Sequence, residues 1–163
     1  MAPNDRMAAV AWEGHDTVSI TWGEFSAALA EQLSCFEEST VLVLVEGDRP
    51  EGPYTQMWQN PDYLWVEASS SRVLGAQLGV AEDVEQSLAD RGWTPPAGRD
   101  NWRRGLPWPA RPEAYLGLAG DIVAVWRDVF GVESPAQLRY RGFISAVHET
   151  LVLPELGLEP APA

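Results

Sequence analysis

The run Thr40-Val-Leu-Val-Leu-Val-Glu46 is the strongest constraint this chain places on its own fold. It is short, rich in β-branched residues and apolar on both of its alternating faces. A strand of that kind needs neighbours at its edges and cover above it, so it reads as the central strand of a sheet. EGDRPEG (46–52) is a turn. YTQMWQ (54–59) is a second strand, with Tyr54, Gln56 and Trp58 on one face. NPD (60–62) is another turn, and YLWVEAS (63–69) a third strand, with Tyr63, Trp65 and Glu67 sharing a face. Three strands joined by short turns make an antiparallel meander.

Such a sheet needs helices to cover it. WGEFSAALAEQLSC predicts a helix over 22–35. Thr21 and Glu24 form an S/T-x-x-E capping box, and Ile20 with Phe25 fits a hydrophobic staple. Trp22, Phe25, Leu29 and Leu33 fall on one helical face. A second helix is expected over 80–91, with Val80, Val84 and Leu88 as its stripe and Gly92 as its stop. A third is expected over 112–130, opened by Pro112 and ended by Gly131. Its buried face is Tyr115, Ala119, Ile122, Trp126 and Val129; Gly117 and Gly120 are expected to allow close packing on the sheet. Leu138 and Tyr140 alternate in a closing strand. FISAVHETLVL (143–153) fits helix or strand, with helix preferred. The fold class is α+β: an antiparallel β-meander sheet with flanking helices. Residues 1–18 read as a loose N-terminal arm, 19–153 as a single domain and 154–163 as a Pro-rich acidic tail.

Composition removes several functions. The chain has 163 residues and a formal net charge of −13, which argues against nucleic acid and anionic membrane as partners. Its 11 basic residues are all arginine, so no lysine Schiff base or Gly-Lys-Ser/Thr phosphate loop exists. Arginine throughout, with abundant Ala, Gly and Pro, suggests a GC-rich bacterial genome. No apolar run has signal-peptide or membrane-span length, which makes a cytoplasmic setting the expectation. Cys35, the single cysteine, reads as a buried structural thiol, since Glu37 and Glu38 disfavour its thiolate. His15 and His148 form no ligand pair with metal-binding spacing, so no metal, cofactor or catalytic residue is assigned. Glu67 is expected at a solvent-facing sheet end, or paired with Arg72 if buried. Arg99, Arg103 and Arg104, interleaved with Trp102 and Trp108, are expected to pair with acids of the chain or of a partner. Of the eight tryptophans, Trp22 and Trp126 suit core positions. Trp58 and Trp65 suit an exposed aromatic surface of the kind that binds partners.

DRGWTPPAGRDNW (90–102) is the least regular segment. Trp93 is expected to fasten the helix end against Leu88, Pro95 and Pro96 to stiffen an extended path, and Trp102 to anchor its far end. The ordered features together resemble the actinobacterial TY-chaperone group, domains related to type III secretion chaperones and YbjN-like proteins. The resemblance runs over about 20–141, through TWGEFSAALAEQL, TVLVLVE, YTQMWQ, LWVEAS, LADRGWTPP, Asn101-Trp102, the Ala-rich helix and FGVESPAQLRY. RGWTPP followed by Asn101-Trp102 is its most diagnostic part. The resemblance implies a curved antiparallel sheet with helices, often dimeric, that binds peptides or proteins and carries no catalytic motif.

The expected function is therefore a non-enzymatic peptide- or protein-binding module for a basic or amphipathic client. The candidate site is Tyr54, Gln56, Trp58, Tyr63, Trp65 and Glu67, joined by Trp102 and Arg103. The alternatives are a structural or regulatory homodimer, or immunity-like partner, without a peptide client, and behind these a small-ligand enzyme.

Overall fold

The computed structural model describes residues 20–162. The first helix among the described residues, α1 (Trp22–Ser34), starts where its cap dictates. Thr21 Oγ1 accepts from the Glu24 N–H and Glu24 Oε1 accepts from the Thr21 N–H, both at 3.1 Å. Phe25, Leu29, Ala30 and Leu33 form its buried face. Cys35 is exposed rather than buried. The helix ends there, and Phe36, not Cys35, turns back into the core.

The central strand β1 (Thr40–Glu46) lies between β2 (Arg49–Gln59) and a later strand β5 (Leu138–Ile144). β3 (Tyr63–Ala68) pairs with β2, completing the meander. A fourth strand, β4 (Trp102–Pro107), lies within what the sequence presents as a strap and forms the edge beyond β3. On the opposite side, β6 (Glu149–Leu151) pairs antiparallel with β5, and β7 (Glu159–Pro160) pairs parallel with it. The order is β4-β3-β2-β1-β5-β6, with β7 beside β5.

The segment 143–153 is a strand end, a turn and a short strand, not a helix. Its apolar spacing suits either period, and the free edge of β1 decides between them: Phe143 and Ile144 pair with Val41 and Thr40. β2 begins earlier than its hydrophobic pattern suggests, because a bulge at Val45/Glu46 lets Arg49 join the ladder. The tail is drawn onto the domain. A turn at Pro154–Leu156 buries Leu156, and the Ala161 N–H donates to the Tyr140 carbonyl at 2.7 Å. The arm expected over 1–18 lies outside the described residues.

One face of the sheet carries Leu42, Leu44, Met57, Leu64, Val66, Ala68, Leu138 and Tyr140, all buried. Over it lie α1, a single turn α2 (Ser71–Leu74), α3 (Glu82–Asp90) and α4 (Pro112–Ala124), which continues as a π turn, Val125–Val129. Leu118, Ala119, Ile122 and Trp126 enter the same core, where each fully buried large apolar side chain contributes about 1.5–3 kcal/mol. Trp126 Nε1 donates to Thr55 Oγ1 at 3.0 Å, which ties the helix layer to β2. Gly117 and Gly120 are exposed, and an added Cβ would meet nothing within 4 Å, so close packing is not their reason. Among the described residues no helix is long and apolar enough to cross a membrane.

Candidate functional site: an aromatic sheet face

Strand alternation sends the other half of the side chains to the face that no helix of the described residues covers, where Val41 and Val45 are nonetheless buried. Register fixes the rows of that face. One runs Phe143, Val41, Trp58, Trp65, Gly105; the next runs Arg141, Val43, Gln56, Glu67, Arg103; the third begins Arg139, Val45, Tyr54. Tyr54, Gln56, Trp58, Tyr63, Trp65 and Glu67 are all half-buried there, and Arg103 is exposed beside them. Seven of the eight residues expected at the site thus share one surface. Trp102 does not: it is fully buried on the helix-covered face, opposite Ala68.

The aromatic residues form a continuous group. Trp58 and Trp65 stack with centroids 6.3 Å apart and planes at 26°. Tyr63 tilts against Trp65 at 4.4 Å. Gly105 makes room for this: a Cβ there would come within 2.6 Å of Tyr63 Cε2 and would clash with the Leu64 carbonyl. A glycine on an edge strand lets the neighbouring strand's ring and backbone approach closely. The Arg103 guanidinium lies 5.8 Å from the Trp65 ring centroid and 3.3 Å from Glu67 Oε1. Glu67's partner is therefore Arg103. Arg72 instead donates to the Gly98 carbonyl.

The strap holds this face from the side. Asn101 Nδ2 donates to the Tyr54 hydroxyl at 2.8 Å and to Glu67 Oε2 at 3.1 Å, while its Oδ1 accepts from the Ser70 N–H at 3.2 Å. Asn101 is buried, and one side chain thus positions two site residues. The next residue points the opposite way. Trp102 Nε1 donates to Glu85 Oε2 at 3.1 Å, and Glu85, only 3 % exposed, also accepts from the Ser71 N–H and hydroxyl at 2.7 and 2.6 Å. At the start of the strap, Gly92 has φ +92, and the Trp93 N–H donates to the Leu88 carbonyl at 3.0 Å, a glycine-stopped helix end. Arg104 crosses from β4 to Asp121 of α4 at 2.8 Å; burial nevertheless pushes the Asp121 carboxyl above the ordinary aspartate value. Arg99 is exposed. His148 is exposed in the β5–β6 turn with φ +56, and His15 lies outside the described residues.

Val41, Val43, Val45, Phe143, Arg139 and Arg141 belong to the face and were not singled out from sequence. Their alternation in TVLVLVE and LRYRGFI is legible, but which face they share with the Trp pair depends on the β1–β5 register. An α+β domain with helices on one side of its sheet and an aromatic, arginine-flanked surface on the other defines the class of protein. The chain belongs to the TY-Chap3 family: the family model described as T3SS (YopN, CesT) and YbjN peptide-binding chaperone 3 matches residues 15–144. No curated protein and no solved structure gives a significant match.

Proposed function

We propose that the protein is a non-enzymatic, chaperone-like module that binds a peptide or an unfolded segment of a partner protein on its aromatic sheet face, in a cytoplasmic setting. The observation that carries this reading is the Trp58–Trp65–Tyr63 group, held on a rigid sheet next to polar side chains that are already oriented. Large aromatics on a preorganised surface lose little side-chain entropy on binding and contribute disproportionately to affinity. The membership in a peptide-binding chaperone family supports the same reading. Tyr54, Gln56 and Glu67 would supply polar contacts, with Arg103 beside them. Trp102 serves this site as an anchor for β4 and not as a contact.

The test is a screen of short synthetic peptides against the wild type and Trp58→Ala. Trp58 is half-buried at the surface of a β ladder, so its truncation leaves the core intact. Peptides that bind the wild type should lose roughly tenfold or more in affinity on the variant, the scale of an aromatic hot spot. Equal binding by both proteins would move the site off this face.

A further inference from the structure

We infer that the segment held on this face carries carboxylates next to its apolar residues, the opposite of the basic client that a net charge of −13 suggests. The inference rests on the sheet face being the binding surface. Among the described residues the acids in register on the face are Glu67, already neutralised by Arg103, and Glu159, beside Arg139 at the β7 edge. Against them stand Arg139 and Arg141, with Arg103 committed to Glu67. Among the described residues neither Arg139 nor Arg141 forms an ion pair. Arg139 donates to the carbonyls of Ala136 and Leu138, and Arg141 to that of Pro162 at 3.1 Å. A guanidinium has five donors, so both retain capacity for a carboxylate.

Arg141 also opens onto a hollow of about 350 Å³, lined by Phe143, His148 and Thr150. A guanidinium and a hydroxyl facing an aromatic wall suit an acidic side chain whose neighbour is apolar. Arg141 on β5 lies two strand intervals across and two residues along from Trp58 on β2, roughly 12 Å at the usual strand spacing and rise. An extended segment crossing the strands covers that distance in about four residues, a spacing that also returns both side chains to the same face. The recognised pattern is thus a large apolar residue with Asp or Glu about four positions away. A second copy of this chain fits poorly: it would present the same arginines to this rim, and each copy carries −13.

The full chain should be titrated by fluorescence anisotropy with two dye-labelled peptides. One places Glu about four residues from Trp, with Leu beside the Trp; the other is identical with Lys for Glu. The Glu peptide should bind about tenfold more tightly, as expected for partly exposed charge pairs acting together. Arg141→Glu, checked for folding by circular dichroism, should erase or invert that preference, while Trp58→Ala weakens both peptides. A Lys peptide that binds as well as the Glu peptide, with Trp58→Ala still harmful, overturns the acidic-client inference and leaves the binding face standing. Binding of neither peptide sinks both readings. A wild-type dimer in sedimentation that Trp58→Ala dissociates assigns the face to a second copy and overturns the inference as well.

Discussion

Two buried tryptophans nine residues apart in one strap do different work. Trp102 Nε1 satisfies part of a carboxylate that has been taken almost wholly out of water. Trp93 is 2 % exposed, yet its Nε1 has no hydrogen-bond partner among the described residues. The ring of Trp93 therefore stabilises the fold while its N–H opposes it, since an unpaired buried donor costs about 1–3 kcal/mol. Trp93→Phe should lie within about 1 kcal/mol of wild type, the lost ring volume being offset by the lost donor. Trp102→Phe should cost more, about 1–3 kcal/mol beyond its lost volume, because the buried Glu85 then loses one of its three donors. Urea unfolding of both variants decides this; the reverse order would mean that Glu85 is not held through the indole. Trp93's place was legible, because Gly followed by an apolar residue at a helix end is a local signal. The role of Glu85 was not. In sequence it is one of several first-turn acids, and only the docking of α3 against β4 brings it to an indole 17 residues away.

At the scale of elements, legibility followed how local the deciding forces are. The capping box placed α1 to within a residue, and β1 was placed residue for residue, since an apolar run with turns around it has one reading. β4 escaped because WRRGLP neither alternates nor excludes Gly and Pro. It is an edge strand held by Arg104–Asp121, by Thr94 pairing with Arg103, and by β3. The candidate face was legible in β2 and β3, where alternation alone sorts the side chains, and illegible in β5. The cap offers a test at this scale. Thr21→Ala should destabilise by about 1 kcal/mol. Glu24's carboxyl is held below the ordinary glutamate value, chiefly by its hydrogen bond to the Thr21 backbone and next by that to the Thr21 side chain. A lowered folded-state value means the stabilisation is fully present above the unfolded-state value and is lost as pH falls through the folded one. Glu24→Gln should therefore reduce the acid-side slope of stability and leave the alkaline side unchanged, read from melting midpoints across the acid range. An unaltered acid slope would show that the capping box does not titrate with the fold.

Over the whole molecule, two charge distributions oppose each other. The chain is acidic overall, while the candidate face is rimmed by Arg103, Arg139 and Arg141. Which distribution a client senses depends on distance. The screening length is about 30 Å at ~10 mM salt and about 8 Å at physiological ionic strength. At low salt an acidic peptide meets the field of the entire chain and is repelled; once docked, it meets arginines at contact distance, where screening is weak. The two steps of binding should therefore respond differently. Raising salt from ~10 to ~150 mM should increase the association rate constant of the Glu peptide, because the removed interaction is repulsive. The dissociation rate constant should rise only modestly over the same range, and Arg141→Glu should raise it far more. Stopped-flow anisotropy separates the two constants. An association rate that falls with salt would mean that attraction governs the encounter, and the client's first contact would then be made through basic groups.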